Sequence, residues 1–179
     1  MIKELFNINK IICNIFIFIS IVYANHRCGF SNQINDSQNI NRTRPETDTS
    51  TFSPTGYFVI HYDVSGQHAP NQSDEDQNGI PDYIDEVGII ADSTRYILVD
   101  VMGFNSEPVD EDGLYDIYIQ DMGPYYYGLT VFDDQSGVPP GPSYMKIDNE
   151  YEEGEYFIPG IKTMKLTVAH EFFHAIQRG

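Results

Sequence analysis

His170-Glu171-Phe172-Phe173-His174 brings together the residue types best suited to chemistry in this chain. On a helix, at ~100° per residue, His170 and His174 fall one turn apart on the same face, so both imidazoles can reach one ion. Glu171 is rotated from that face and can address a water on the metal. Imidazole nitrogens at about 2.0–2.1 Å suit zinc, and a catalytic zinc needs a third protein ligand and an open position. Zinc in such a site lowers the pKa of its water and polarises a scissile carbonyl. The carboxylate then takes the proton and delivers it to the leaving amine. From Leu166 through Gln177 the motif has no other charged neighbour, a composition expensive to bury unless a metal compensates it. The plainer alternative is a pair of hydrogen-bonded core histidines beside a surface glutamate.

A second constellation runs from Asp74 to Asp85, matching D-x-D-x-N-G-x-x-D-x-x-D. Oxygens of Asp74, Asp76 and Asn78, the carbonyl of Ile80, and the acids Asp82 and Asp85 fall at the ligand positions of an EF-hand loop, with Gly79 at the sharp turn. Asp85 stands where Glu is usual, and its shorter arm weakens a bidentate contact. No helix precedes the loop, so it resembles the calcium loops of dockerins and thrombospondin type 3 repeats more than a paired EF-hand. A helix N-terminus dressed with acids explains Asp82 onward but not the alternation before Gly79. Calcium here would be structural.

These groups need elements to position them. Tyr57 to Tyr62 is β-branched and aromatic and predicts a strand. Ile84, Val87, Ala91, Leu98 and Val101 recur at helical spacing and predict a helix over 83–102, with Gly103 as its stop. Further strands are predicted over 114–119, 129–132 and 143–148. A last helix runs from Thr163, as N-cap, to Gln177. The order β-α-β-β-β-α reads as α+β, helices packed on a mixed sheet. His61 and His68 lack metal-like spacing, Asp110-Glu111-Asp112 and Glu150 to Glu155 read as solvated loops, and the tyrosines read mainly as half-buried strand residues.

The chain has 179 residues, 27 acidic and 10 basic, with a net charge of −17. So few scattered cations cannot build a phosphate-binding surface, which excludes nucleic acid as a main partner and argues against an anionic membrane face. Residues 1–24 combine Lys3 and Lys10 with an apolar run over 11–21 and Val22-Tyr23-Ala24, the pattern of a signal peptide. The run is shorter than the ~20 residues a membrane span needs. Removing the leader changes the balance to 8 basic against 26 acidic residues, or −18. It would also remove Cys13, leaving Cys28 without a partner in the chain, so no internal disulfide is expected. Residues 25–54 read as a polar linker or disordered N-terminus, and residues 55–179 as the folded domain. The expected destination is extracellular or periplasmic, with no membrane span after cleavage of the leader.

Thr167 to Ile176 resembles the extended active-site consensus of zincin metallopeptidases, and the strand just upstream is similar to that of the zincin upper subdomain. Residues Thr55 to Gly179, including Tyr-Gly-Leu-Thr at 127–130, resemble secreted bacterial metallopeptidases of this type. The resemblance implies a zincin-like upper subdomain: a mixed sheet, a long backing helix and an active-site helix. It implies a secreted zinc-dependent endopeptidase acting on polypeptides, with His170 and His174 as zinc ligands and Glu171 as general base. It also makes Ser143 to Asp148 the edge strand for an extended substrate, through Ser143, Tyr144, Met145, Lys146 and Ile147. Metzincins continue H-E-x-x-H-x-x-G-x-x-H, but Gln177 stands where their Gly belongs. The gluzincin-like branch, with a third ligand from a later helix, is favoured. The third ligand is unassigned, the domain reads as incomplete at its C-terminus, and a chain with only two ligands is expected to hold zinc weakly and to be inactive. Two other readings fit the same residues: a non-catalytic secreted calcium-binding adhesion module, and a metallohydrolase of non-peptide substrates. Nothing in the residues speaks to oligomeric state.

Overall fold

The computed structural model describes residues 43–123, 126–133, 141–151 and 159–177. The expected leader, most of the expected linker, Tyr125, and Glu152 to Glu155 lie outside them. Among the described residues the chain is α+β, a mixed five-stranded sheet carrying two α-helices. In chain order the elements are β1 (Thr49–Phe52), β2 (Phe58–Tyr62), α1 (Asp82–Arg95), β3 (Tyr115–Gln120), β4 (Gly128–Phe132), β5 (Ser143–Asp148) and α2 (Ile161–Ile176). The sheet order is β1-β2-β3-β5-β4. The central pairs β2–β3 and β3–β5 are parallel, and the outer strands β1 and β4 are antiparallel to their neighbours.

Two expectations are corrected by this topology. Ser143 to Asp148 is not the edge: after β3 the chain runs out to β4 and returns as β5 into the gap between them. Among the described residues the edge on this side of the sheet is β4. Ser143, Tyr144, Met145 and Ile147 are buried accordingly, as an interior strand requires. The polar stretch through residue 54 is also not all linker, because Thr49–Phe52 pairs with β2. An outer strand exposed on both faces needs no apolar alternation, so its composition conceals it; Phe52 is 64% exposed.

The helices pack on one face of the sheet. Phe58, Ile60, Tyr115, Ile117, Ile119, Met145 and Ile147 meet Ile84 and Val87 of α1 and Val168 and Phe172 of α2. Phe172 is the hub, its ring edge-on to Phe58 at 5.2 Å and to Tyr115 at 5.4 Å. Burying such a ring stabilises the fold by about 1.5–3 kcal/mol. On the opposite face Tyr118, Val131 and Tyr144 form a smaller cluster. The helix predicted over 83–102 exists but changes pitch. After Arg95 it continues as a π-helical segment, Tyr96–Val101, in which the Met102 N–H donates to the Ile97 carbonyl at 2.9 Å. No helix among the described residues is long and apolar enough to cross a membrane.

Candidate metal and catalytic site

Helix α2 buries Thr163, Met164, Thr167, Val168, Glu171, Phe172, Ala175 and Ile176. That stripe recurs every four residues in adjacent pairs, the face a helix offers to a core. Thr163 lies inside the first turn; the N-cap position belongs to Gly160, not to Thr163 as expected. Leu166, His170 and His174 follow one another at four-residue steps along the outward side. His170 is exposed and His174 half-buried.

The two histidines converge. Their Nε2 atoms are 3.1 Å apart and their ring centroids 4.7 Å apart. Two nitrogens bound tetrahedrally to one zinc stand about 3.3 Å apart, so the pair is already spaced for a shared ion. His174 Nδ1 lies 3.3 Å from Gln177 Oε1. A hydrogen on Nδ1 donates to that amide oxygen and leaves the Nε2 lone pair facing His170. Partial burial holds both imidazoles below the ordinary histidine range, and at His174 the neighbouring ring adds to this. Neutral rings are the ligand form. The residues present therefore fit a zinc ion with two ligands from this helix.

Glu171 is rotated from the histidine face, but the rotation carries it into the core and not towards open solvent. It belongs to the buried stripe, is 2% exposed, and turns towards β4. Thr130 Oγ1 is 2.9 Å from Glu171 Oε2 and 2.6 Å from the Glu171 carbonyl oxygen. Burial pushes the Glu171 carboxyl up to about 7, against the Thr130 hydrogen bond, which favours the ionised form. The helix is thus not buried all round: its glutamate is inside and its histidines are outside. Beside His170 lies a groove of about 430 Å³ between α2 and the π-helical segment, lined by Ile97, Leu98, Met102, Phe104, Ala169 and Phe173 among others.

The acidic loop is partly assembled. Oxygens of Asp74, Asp76 and Asp82 lie within 4.8 Å of one another. Asn78 donates through Nδ2 to Asp76 at 3.2 Å and to Asp85 at 2.8 Å, so Asp85 adjoins the group. Ile80 joins through its N–H, which donates to Asn78 Oδ1 at 2.7 Å. Gly79 adopts φ +87°, the left-handed turn expected of it. The Asp82 N–H donates to the Ser73 carbonyl at 2.7 Å, closing the loop onto the first turn of α1.

Other polar groups were hidden in the sequence. Arg44, inside the stretch read as linker, pairs with Asp110, Asp116 and Asp133, drawing one acid of a supposedly solvated loop into an ion-pair network. His61 lies 2.7 Å from Asp116 through Nε2, and His68 Nδ1 accepts the Asp121 N–H at 3.1 Å, so both histidines are structural. Asp148 is 2% exposed and its carboxyl is pushed up to about 7, by burial first and by Asp121 and Glu150 in addition. Gly128 and Thr130 gave one local signal, the Tyr-Gly-Leu-Thr sequence at 127–130. Their meaning depends on which strand lies beside Glu171. No family model, no curated protein and no solved structure matches this chain.

Proposed function

We propose that this chain carries the zincin-like part of a secreted zinc-dependent endopeptidase. One observation carries the reading: the Nε2 atoms of His170 and His174 stand 3.1 Å apart on the open side of α2, at zinc spacing. Bound zinc would supply a Lewis acid that activates water and polarises a peptide carbonyl. The protein's own part begins with the two imidazoles, whose Nε2 atoms would both turn their lone pairs to the ion. Glu171, on the same turn, would take a proton from the attacking water and return it to the leaving amine. An extended peptide would pair with β4, the sheet's outer strand beside Glu171, and not with β5, whose main-chain groups are engaged on both sides. Export through the leader at residues 1–24 and a third zinc ligand outside α2 complete the proposal.

The test is zinc binding and casein cleavage by the protein with its third zinc ligand in place, and by its Glu171→Gln variant. The expected result is equal zinc content and a loss of cleavage in the variant. Unchanged cleavage would end the mechanism.

A second reading draws on the convergence of Asp74, Asp76 and Asp82: a calcium-stabilised binding module in which α2 is only structural. In the peptidase reading, calcium at this loop has the narrower role of joining the segment after β2 to the start of α1. A chain that binds calcium but neither binds zinc nor cleaves peptides would favour the module.

A further inference from the structure

Strand β4 meets α2 at a slot that exists because residue 128 has no side chain. A Cβ at Gly128 would stand 2.7 Å from Thr167 Cγ2, 2.9 Å from Glu171 Cγ and 3.1 Å from the Lys146 carbonyl oxygen. Carbon atoms pack at about 3.5–4.0 Å, so a larger residue forces α2 outward or drives Glu171 from its place. Two residues on, and so on the same face of the strand, Thr130 is completely buried. Its hydroxyl contacts Glu171 twice, at the carboxyl and at the main-chain carbonyl. One hydroxyl offers one proton and two lone pairs. It donates to the ionised carboxylate, or it donates to the carbonyl while accepting from the protonated acid. In the first state the hydroxyl holds the carboxylate alone; in the second it bridges the side chain of Glu171 to its own helix turn. Threonine suits this task because branching at Cβ makes its χ1 stiff.

We propose that Thr130 is a positioning residue that holds the Glu171 carboxyl in a single orientation, within a slot kept open by Gly128. Its consequence for catalysis rests on the peptidase reading; the Thr130–Glu171 coupling does not.

The experiment compares Thr130→Val, which keeps the shape and loses the hydroxyl, with Thr130→Ser, which keeps the hydroxyl. In the zinc-loaded protein with its third ligand in place and casein as probe, Thr130→Val should lower kcat about tenfold, part of the roughly 10²–10⁴ a general base supplies, with KM and zinc content unchanged. Thr130→Ser should recover most of that loss. A Thr130→Val chain that cleaves at the wild-type kcat overturns the proposal, and so do equal losses in Val and Ser. A second readout needs no activity: urea unfolding of Thr130→Val, Glu171→Ala and the double variant. Coupled residues make the double loss smaller than the two single losses together, whereas additive losses overturn the proposal. If Glu171→Gln still cleaves casein, or the wild-type protein with its third ligand in place cleaves nothing, the peptidase reading fails and the unfolding cycle alone decides the Thr130–Glu171 coupling.

Discussion

Glu171 combines two demands that rarely coincide on one side chain. Its place on the four-residue stripe of α2 buries it against β4, and burial disfavours its charge. The Thr130 hydroxyl offsets part of that cost and lets an acid occupy a core position. His170 and His174 lie off the stripe, where nitrogen lone pairs can reach an ion. Glu171→Gln keeps the shape of the acid and removes its basicity, so peptide hydrolysis should fall by roughly 10²–10⁴ with zinc retained; a casein assay beside a metal analysis reads both. Gly128→Ala should cost about 1–3 kcal/mol of stability through overpacking against Thr167 and Glu171, measured as a shift in the urea midpoint.

At the scale of elements, two short connections appear to the chain's advantage only once their partners are known. The Asp74–Asp85 loop folds its carboxylates inward and hydrogen-bonds to the first turn of α1. Acids brought this close repel unless a cation or N–H groups answer them. Adding calcium should therefore raise the melting temperature, and Asp76→Ala should abolish the rise; a thermal scan with and without chelator measures both. The second connection is the segment leading into β1. Arg44 reaches from it to Asp110, Asp116 and Asp133. Asp116 is buried and keeps His61 as a neighbour, so Arg44→Ala should cost about 1–3 kcal/mol in urea unfolding by leaving that carboxylate short of a partner.

Across the whole molecule, the net charge of −17 hides two carboxyls that resist ionisation. Asp148 and Glu171 both titrate near 7 in the folded chain, well above an ordinary carboxylate. A raised folded-state pKa means that the folded chain holds the proton more tightly than the unfolded chain does. That contribution to stability is fully present below about pH 4 and is lost as pH rises through about 7. Between those limits the two carboxyls should lower the melting temperature of the metal-free protein as pH rises, against the opposite slope of His61, His170 and His174. Asp148→Asn should therefore make the melting temperature rise more, or fall less, with pH than in the wild type. Thermal scans at pH 5, 6, 7 and 8 would show it. Above the sheet, the same molecule leaves Tyr96, Ile97, Val101, Met102 and Leu166 exposed, an apolar flank beside the histidine pair.

Much of the fold was legible because local periodicity governs it. The helix at 161–176, the histidine spacing, the strands at 58–62, 115–120 and 143–148, and the turn at Gly79 all follow from residue order over a few positions. The burial of Glu171 was legible too, since residue 171 falls in step with 163, 167 and 175; the motif's reputation for facing water obscured it. What sequence could not decide was sheet order. Whether β4 or β5 forms the edge depends on where the chain re-enters the sheet, and main-chain hydrogen bonds between strands carry no side-chain signature. For the same reason neither β1, nor the ion pairs of Arg44, nor the place of Thr130 beside Glu171 has a signature in residue order. The residues alone determined which side chains could bind metal or move a proton. Only tertiary packing decided that β4 lies against Glu171 and that its threonine and glycine surround that acid.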